Sequence, residues 1–127
     1  MLKTTLAGIA AATALLSSAP AAQAQTITPG QRDDLQCLLI YMELAGNEAY
    51  ANNPEAQSGF GVGVGYYLGR LEGSAADRDW LAYIENNLDQ STALMSDAAG
   101  YERCGQGMIN LGNSMIAFSE RMLALGG

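Results

Sequence analysis

The chain has no histidine, and its single lysine is Lys3. Histidine is the side chain whose unperturbed titration falls near neutrality. Its absence excludes Ser-His-Asp and Cys-His catalysis within this chain, and zinc sites of the Cys/His type. One lysine, at the extreme N-terminus, leaves neither a Schiff-base site nor a phosphate-loop lysine. The only cysteines are Cys37 and Cys104, too far apart for a C-x-x-C redox pair. Past the N-terminal segment, no run is long and apolar enough to span a membrane. Carboxylates, tyrosine, arginine and hydroxyls remain for chemistry, and they fall into no catalytic, metal-ligating or cofactor pattern.

What is present begins with an export signal. Met1-Leu2-Lys3 is a short basic start, Thr4 to Leu16 an uncharged and mostly apolar run, and Ser17 to Ala24 a small-residue region. That order is the pattern of a cleavable signal peptide. Ala22-Gln23-Ala24 fits the A-x-A rule and places the cut before Gln25. No cysteine directly follows the apolar run, as a lipoprotein anchor would require. The expected organisation is a signal peptide over 1–24 and one domain over 25–127, in the bacterial periplasm, without a membrane span after cleavage.

Without Lys3, five arginines face thirteen carboxylates, a formal charge of −8. Nucleic acid and anionic membrane surfaces repel such a chain. In an exported domain of this size two cysteines most often pair; two free thiols or a bond to another chain are the alternatives. A Cys37–Cys104 bond closes a loop of about 70 residues, worth about 4 kcal/mol in the chain-entropy picture.

The pattern after Gln25 is helical. Thr28-Pro29-Gly30-Gln31 is a helix start, with Thr28 as cap, Pro29 in the first turn and Gln31 as capping-box partner. Asp33 and Asp34 lie near the positive end of the helix dipole. Leu35, Leu38, Leu39 and Met42 recur at helical spacing, and Cys37, Ile40, Tyr41 and Leu44 fill the other sides. A helix apolar nearly all round is central to its fold. Gly46 ends it. Residues 47–53 connect to a second helix that starts at Asn53-Pro54 and runs to Glu72, before Gly73.

The second helix is rich in glycine. Gly61, Gly65, Gly69 and Gly73 recur every four residues, with Gly59 and Gly63 besides. Each helical glycine costs about 0.5–1 kcal/mol against alanine. The repeat fits a groove admitting a second helix closely, with Gly61, Gly65 and Gly69 as the candidate packing or partner face. A β-strand with alternating glycine and a phosphate cradle lacking its preceding strand are the competing readings. If Phe60, Val64, Tyr67 and Leu71 face the core, Val62 and Tyr66 point elsewhere, toward another helix or a partner.

A third helix is expected from a Ser74 cap, with Trp80, Leu81, Ile84 and Leu88 buried. A calcium loop starting at Asp77 fails, because Ala82 and Leu88 stand where glycine and glutamate are required. A fourth helix is expected over 91–125. There Cys104, Met108, Leu111, Met115, Phe118, Met122 and Leu125 alternate by four and three, the seam of a heptad repeat. The seam predicts packing along a neighbouring helix, with its methionines read as core filler and an adaptable binding surface as the alternative. Unbroken, the helix would be about 50 Å long at 1.5 Å per residue, so a break is expected between Ala99 and Gly107.

Together these features predict an all-α fold, a small bundle of about four helices with one disulfide joining first and last. Cysteine in the first helix, the run Gly-Tyr-Tyr-Leu-Gly-Arg-Leu-Glu-Gly at 65–73 and Glu-Arg-Cys-Gly at 102–105 resemble a group of small two-cysteine exported proteins of Gram-negative bacteria. That resemblance implies export and names no activity. The chain is more distantly similar to the HdeA-type acid-stress chaperones of the periplasm, which are small, helical and joined by one disulfide. A fainter likeness, in the G-Y-x-x-G element, is to Tai-type immunity proteins. The functional expectation is a non-enzymatic binding or interaction protein, with a protein partner or self-association and no cofactor. An acid chaperone, a structural envelope component and a carboxylate-based hydrolase are the alternatives.

Overall fold

The computed structural model describes residues 26–127; the expected signal segment lies outside them. Thr28 opens helix α1 (Pro29–Gly46) with the predicted capping box. Its Oγ1 accepts from the Gln31 amide at 3.1 Å, while Gln31 Oε1 accepts from the Thr28 amide at 3.0 Å. A single 3₁₀ turn, Glu48–Tyr50, bridges to helix α2 (Pro54–Ser74), capped by the Asn53 side chain. Proline in the first turn of both helices removes an amide that had no partner there.

α1 and α2 form an antiparallel pair held at three levels. At one end Gln31 Nε2 donates to Ser74 Oγ at 3.1 Å. Midway Arg70 Nε donates to Asp34 Oδ1 at 2.8 Å. At the far end the Tyr41 ring lies against Gly63. Asp34 to Tyr41 are buried without interruption, so α1 is central, as its all-round apolar character requires. Tyr67, Leu71 and Trp80 complete the core around it. Asp34 serves an ion pair with α2 and not the dipole of its own helix.

Ser74 closes α2 and caps nothing after it, its Oγ donating to the Leu71 carbonyl at 2.7 Å. The expected third helix is two shorter ones, α3 (Trp80–Asn86), capped by Asp79, and α4 (Leu88–Met95). Asn87 leaves the helical region between them. Trp80 is buried, but Leu81 and Leu88 face solvent. The last helix, α5 (Ala98–Leu125), is continuous. The break expected between 99 and 107 falls earlier, at Ser96–Asp97, where the Asp97 side chain caps the Ala99 amide at 3.1 Å. Five helices thus stand where about four were expected, and the described residues contain no strand, which removes the β reading of residues 59–69.

Cys37 in α1 and Cys104 in α5 are bonded, with Cα atoms 5.3 Å apart. The hydroxyls of Tyr41 and Tyr67, whose rings stack at 5.9 Å, both donate to the Cys104 carbonyl at 3.3 Å. Gly100 makes room for the Gln36 side chain and Gly107 for the Tyr67 hydroxyl. A β-carbon at either position would overlap its neighbour. These glycines, read in the sequence as places to break α5, are where α5 approaches the body. They fix its first third on α1 and α2 at the disulfide.

Candidate functional site

Beyond the disulfide, α5 leaves the body. Met108 is half-buried against the core, Leu111 and Gly112 are partly covered, and every residue from Asn113 to Gly127 is exposed. Residues 108–125 form an arm about 27 Å long at 1.5 Å per residue. The expectation of a seam buried on a neighbouring helix is therefore corrected. Past Leu111 the seam is exposed, with no neighbour among the described residues, and its methionines at 115 and 122 are not core.

The arm is more apolar than a solvent face needs to be. At about 100° per residue its side chains fall into rows of every seventh position. Met108, Met115 and Met122 make one row, and Leu111, Phe118 and Leu125 a second beside it. Ile109, Ile116 and Leu123 make a third on the far side of a row of small residues, Gly105, Gly112 and Ser119. The apolar arc covers about 160° of the helix. Asn113, Ser114, Glu120 and Arg121 occupy the remainder. Ile109, Met115, Ile116, Phe118, Met122, Leu123 and Leu125 are each exposed by half or more, Leu125 by 81%. Ser114, Met115, Phe118, Ser119 and Met122 border a shallow hollow in this surface. A monomer's largest exposed apolar patch is about 300–600 Å² and is often functional.

A second feature is a cleft of about 620 Å³ between α1, α4 and α5, bordered by Arg32, Asp33, Gln36, Ser91, Asp97 and Arg103 among others. Most of its polar groups bind one another. Gln36 Nε2 donates to the Leu94 carbonyl at 2.7 Å and to Asp97 Oδ2 at 3.4 Å. Arg103 donates to Gln36 Oε1 and lies 3.5 Å from Asp33 Oδ1. The cluster fastens α4 and the start of α5 to α1. Ser91, 2% exposed, is buried here with no partner for its hydroxyl, and no histidine exists to activate it. Among the described residues, no three cysteine or acidic side chains gather as a metal site would need.

The other predicted residues lie apart from the arm's apolar rows. Gly61, Gly65 and Gly69 line no helix contact among the described residues, and a β-carbon at each would meet open space there. The glycine that admits a neighbour is Gly63, whose β-carbon would stand 2.6 Å from Tyr41 Cγ. Val62 is half exposed. Tyr66 is partly covered, its ring edge-on to Tyr67 at 5.0 Å and beneath the Arg70 guanidinium at 5.7 Å. The Asp34 carboxylate and the Tyr66 hydroxyl raise the Arg70 pKa and hold its charge in place. Burial raises the pKa of the Tyr41 hydroxyl, and burial with neighbouring Tyr41 raises that of Tyr67. Sequence reasoning missed the Asp34–Arg70 pair and the Gln36 cluster, which no local spacing announces.

Comparison with known protein families, with curated proteins and with solved structures finds no match to this chain.

Proposed function

We propose that the protein is an exported, non-enzymatic interaction protein that engages a protein partner through the apolar arm of α5. The observation that carries this reading is the row structure of residues 108–125, apolar over nearly half the helix and, past Gly112, exposed with no neighbour among the described residues. A helix of that length gains little stability from propensity alone and depends on packing its apolar face. The body has the opposite design, with disulfide, tyrosine pair and ion pair turned inward to hold α5 rigidly at its root. The N-terminal export pattern and the disulfide support an oxidising compartment outside the cytoplasm as the setting of that work.

The test is a photo-crosslinking side chain at position 118 in cells that export the protein, with the same probe at exposed Glu85 as control. A discrete adduct from position 118 and none from position 85 is the expected result. No adduct from 118 would sink the reading.

One observation favours an acid chaperone as the second reading. The α1–α2 and α1–α5 contacts include the pairs Asp34–Arg70 and Asp33–Arg103, which disappear in acid strong enough to protonate carboxylates. The five arginines would then repel one another and loosen the body. Aggregation of a model client at low pH, unchanged by excess protein, would rule this out. A hydrolase is the weakest reading. Asp33 and Asp97 border the cleft, but Asp97 caps α5 and accepts from Gln36, while Asp33 lies beside Arg103.

A further inference from the structure

We infer that the partner of the α5 arm is a second copy of this chain, paired antiparallel with it over residues 108–125. The inference rests on the arm being a docking surface and adds what docks there. Its first support is that the segment complements itself when reversed. Turned end for end about the point between Ile116 and Ala117, Met108 lies opposite Leu125 of the partner subunit. Leu111 then meets Met122 of the partner subunit, and Met115 meets Phe118 of the partner subunit. The same three layers recur across the two-fold axis, as an isologous interface requires. No layer is polar, and each joins the two rows that form a heptad seam. The small residues Gly112 and Ser119 flank the layers on one side and let the two backbones approach there. The Ile109, Ile116 and Leu123 row lies beyond them, about 100° around the helix from the methionine row, outside the two-helix contact.

Charge supports the same partner and its direction. Residues 105–127 carry one acid, Glu120, and one base, Arg121, so the arm is neutral while the remainder of the domain holds the whole acidic excess. Antiparallel pairing puts the two acidic bodies at opposite ends of a stem about 27 Å long, beyond the ~8–10 Å screening length of physiological salt. Parallel pairing would press both bodies together at one end. A membrane surface fits less well, because interfacial helices carry several Lys or Arg on the polar face and this one has Arg121 alone.

Area sets its strength. Full burial of a large aliphatic side chain removes on the order of 100 Å² of apolar surface. The four seam side chains at least half exposed are Met115, Phe118, Met122 and Leu125. With the free parts of Met108 and Leu111, they offer roughly 300 Å² per copy before backbone and stems are added. That is below the ~800 Å² per partner of a standard interface and on the scale of a weak, concentration-dependent pair.

The test is sedimentation equilibrium of the disulfide-intact chain, after export and signal removal, from about 1 to about 100 µM. The mass is expected to double across this range. Phe118→Glu, at a site exposed in the monomer, is expected to weaken association roughly 100-fold while leaving the monomer's melting temperature unchanged. Spin labels on cysteines placed at Ala117 and, separately, at Ala124 read the direction. The antiparallel pair predicts a separation at 124 larger by roughly 10 Å, because an axial offset of about 22 Å adds in quadrature to a side-to-side distance of about 20 Å shared by both pairs; equal separations would overturn the direction. A monomer at the highest concentration, or doubling that ignores Phe118→Glu, would overturn the dimer. If a monomer still crosslinks from position 118 to a different protein, the arm remains a docking surface and only its self-pairing is wrong. If it crosslinks to nothing, both fall.

Discussion

Two apolar stretches of this chain end in opposite surroundings. Asp34 to Tyr41 of α1 are buried at every position, polar ones included, whereas Asn113 to Gly127 are exposed at every position. Six of eight residues are hydrophobic in the first and eight of fifteen in the second, a smaller gap than that in burial. What differs most is the neighbourhood: α1 is met from several sides by α2, α4 and α5, and the arm of α5 past Gly112 by nothing among the described residues. An apolar pattern states that a face wants covering and is silent on whether the cover lies in the same molecule.

The contrast can be broken most forcefully at the root of the arm. Replacing both cysteines by serine removes the bond that shortens the unfolded loop of about 70 residues, a loss of about 4 kcal/mol. The melting temperature should fall on the order of 20 °C, with α1 and the start of α5 losing order together. A fall of only a few degrees would mean that the tyrosine pair and the Gln36 cluster hold α5 without the disulfide.

A smaller effect with a change of sign separates the two kinds of glycine in α2. Gly63→Ala drives a methyl group into the buried Tyr41 ring and should cost about 1–3 kcal/mol by overpacking, offset in part by better helix propensity. Gly65→Ala, in open space, should gain up to about 1 kcal/mol. Thermal melts of the two variants should move in opposite directions, and equal shifts would contradict the placement of α1 against Gly63.

The smallest effect is alkaline. Burial holds the Tyr41 and Tyr67 hydroxyls protonated above their ordinary range. The unfolded chain, with tyrosines titrating at about 10, then binds fewer protons than the folded one as pH rises through that value. Their contribution to stability is fully present below about pH 10 and is lost as pH climbs through the raised folded values. Melts in a pH series around that point should show the decline in the native protein and a shallower one in Tyr67→Phe. A decline of the same depth in the variant would mean that these hydroxyls do not drive it.

Much of the frame was legible in the residues themselves. Thr28 with Gln31 and Asn53 with Pro54 are local capping chemistry, and the structure uses them as read. The Cys37–Cys104 pairing and the central place of α1 followed from counting and periodicity. The glycines did not follow, because their regular spacing by four marks one face of α2 without saying which face meets a neighbour. That choice is made by the Tyr41 ring, which seats on Gly63, on the opposite side of α2 from Gly61 and Gly65. The start of α5 is capped by Asp97 ahead of Ala98-Ala99, a local signal that the reading of the sequence did not use. The pair Asp34–Arg70, with Asp34 buried and Arg70 half exposed, joins residues far apart in sequence, and neither position carries a local mark of the other. The arm was read correctly as amphipathic and wrongly as internal, since a heptad seam is the same string whether its partner is intramolecular or a second chain.

Backbone amide hydrogen exchange at two protein concentrations tests the central contrast most directly. If the arm is covered only by a partner and that partner is a second copy, amides of residues 113–125 should gain protection as concentration rises. Those of residues 35–41 should stay equally protected throughout. Strong protection of the arm that does not change with dilution would mean that its cover lies within the chain, and would contradict the account.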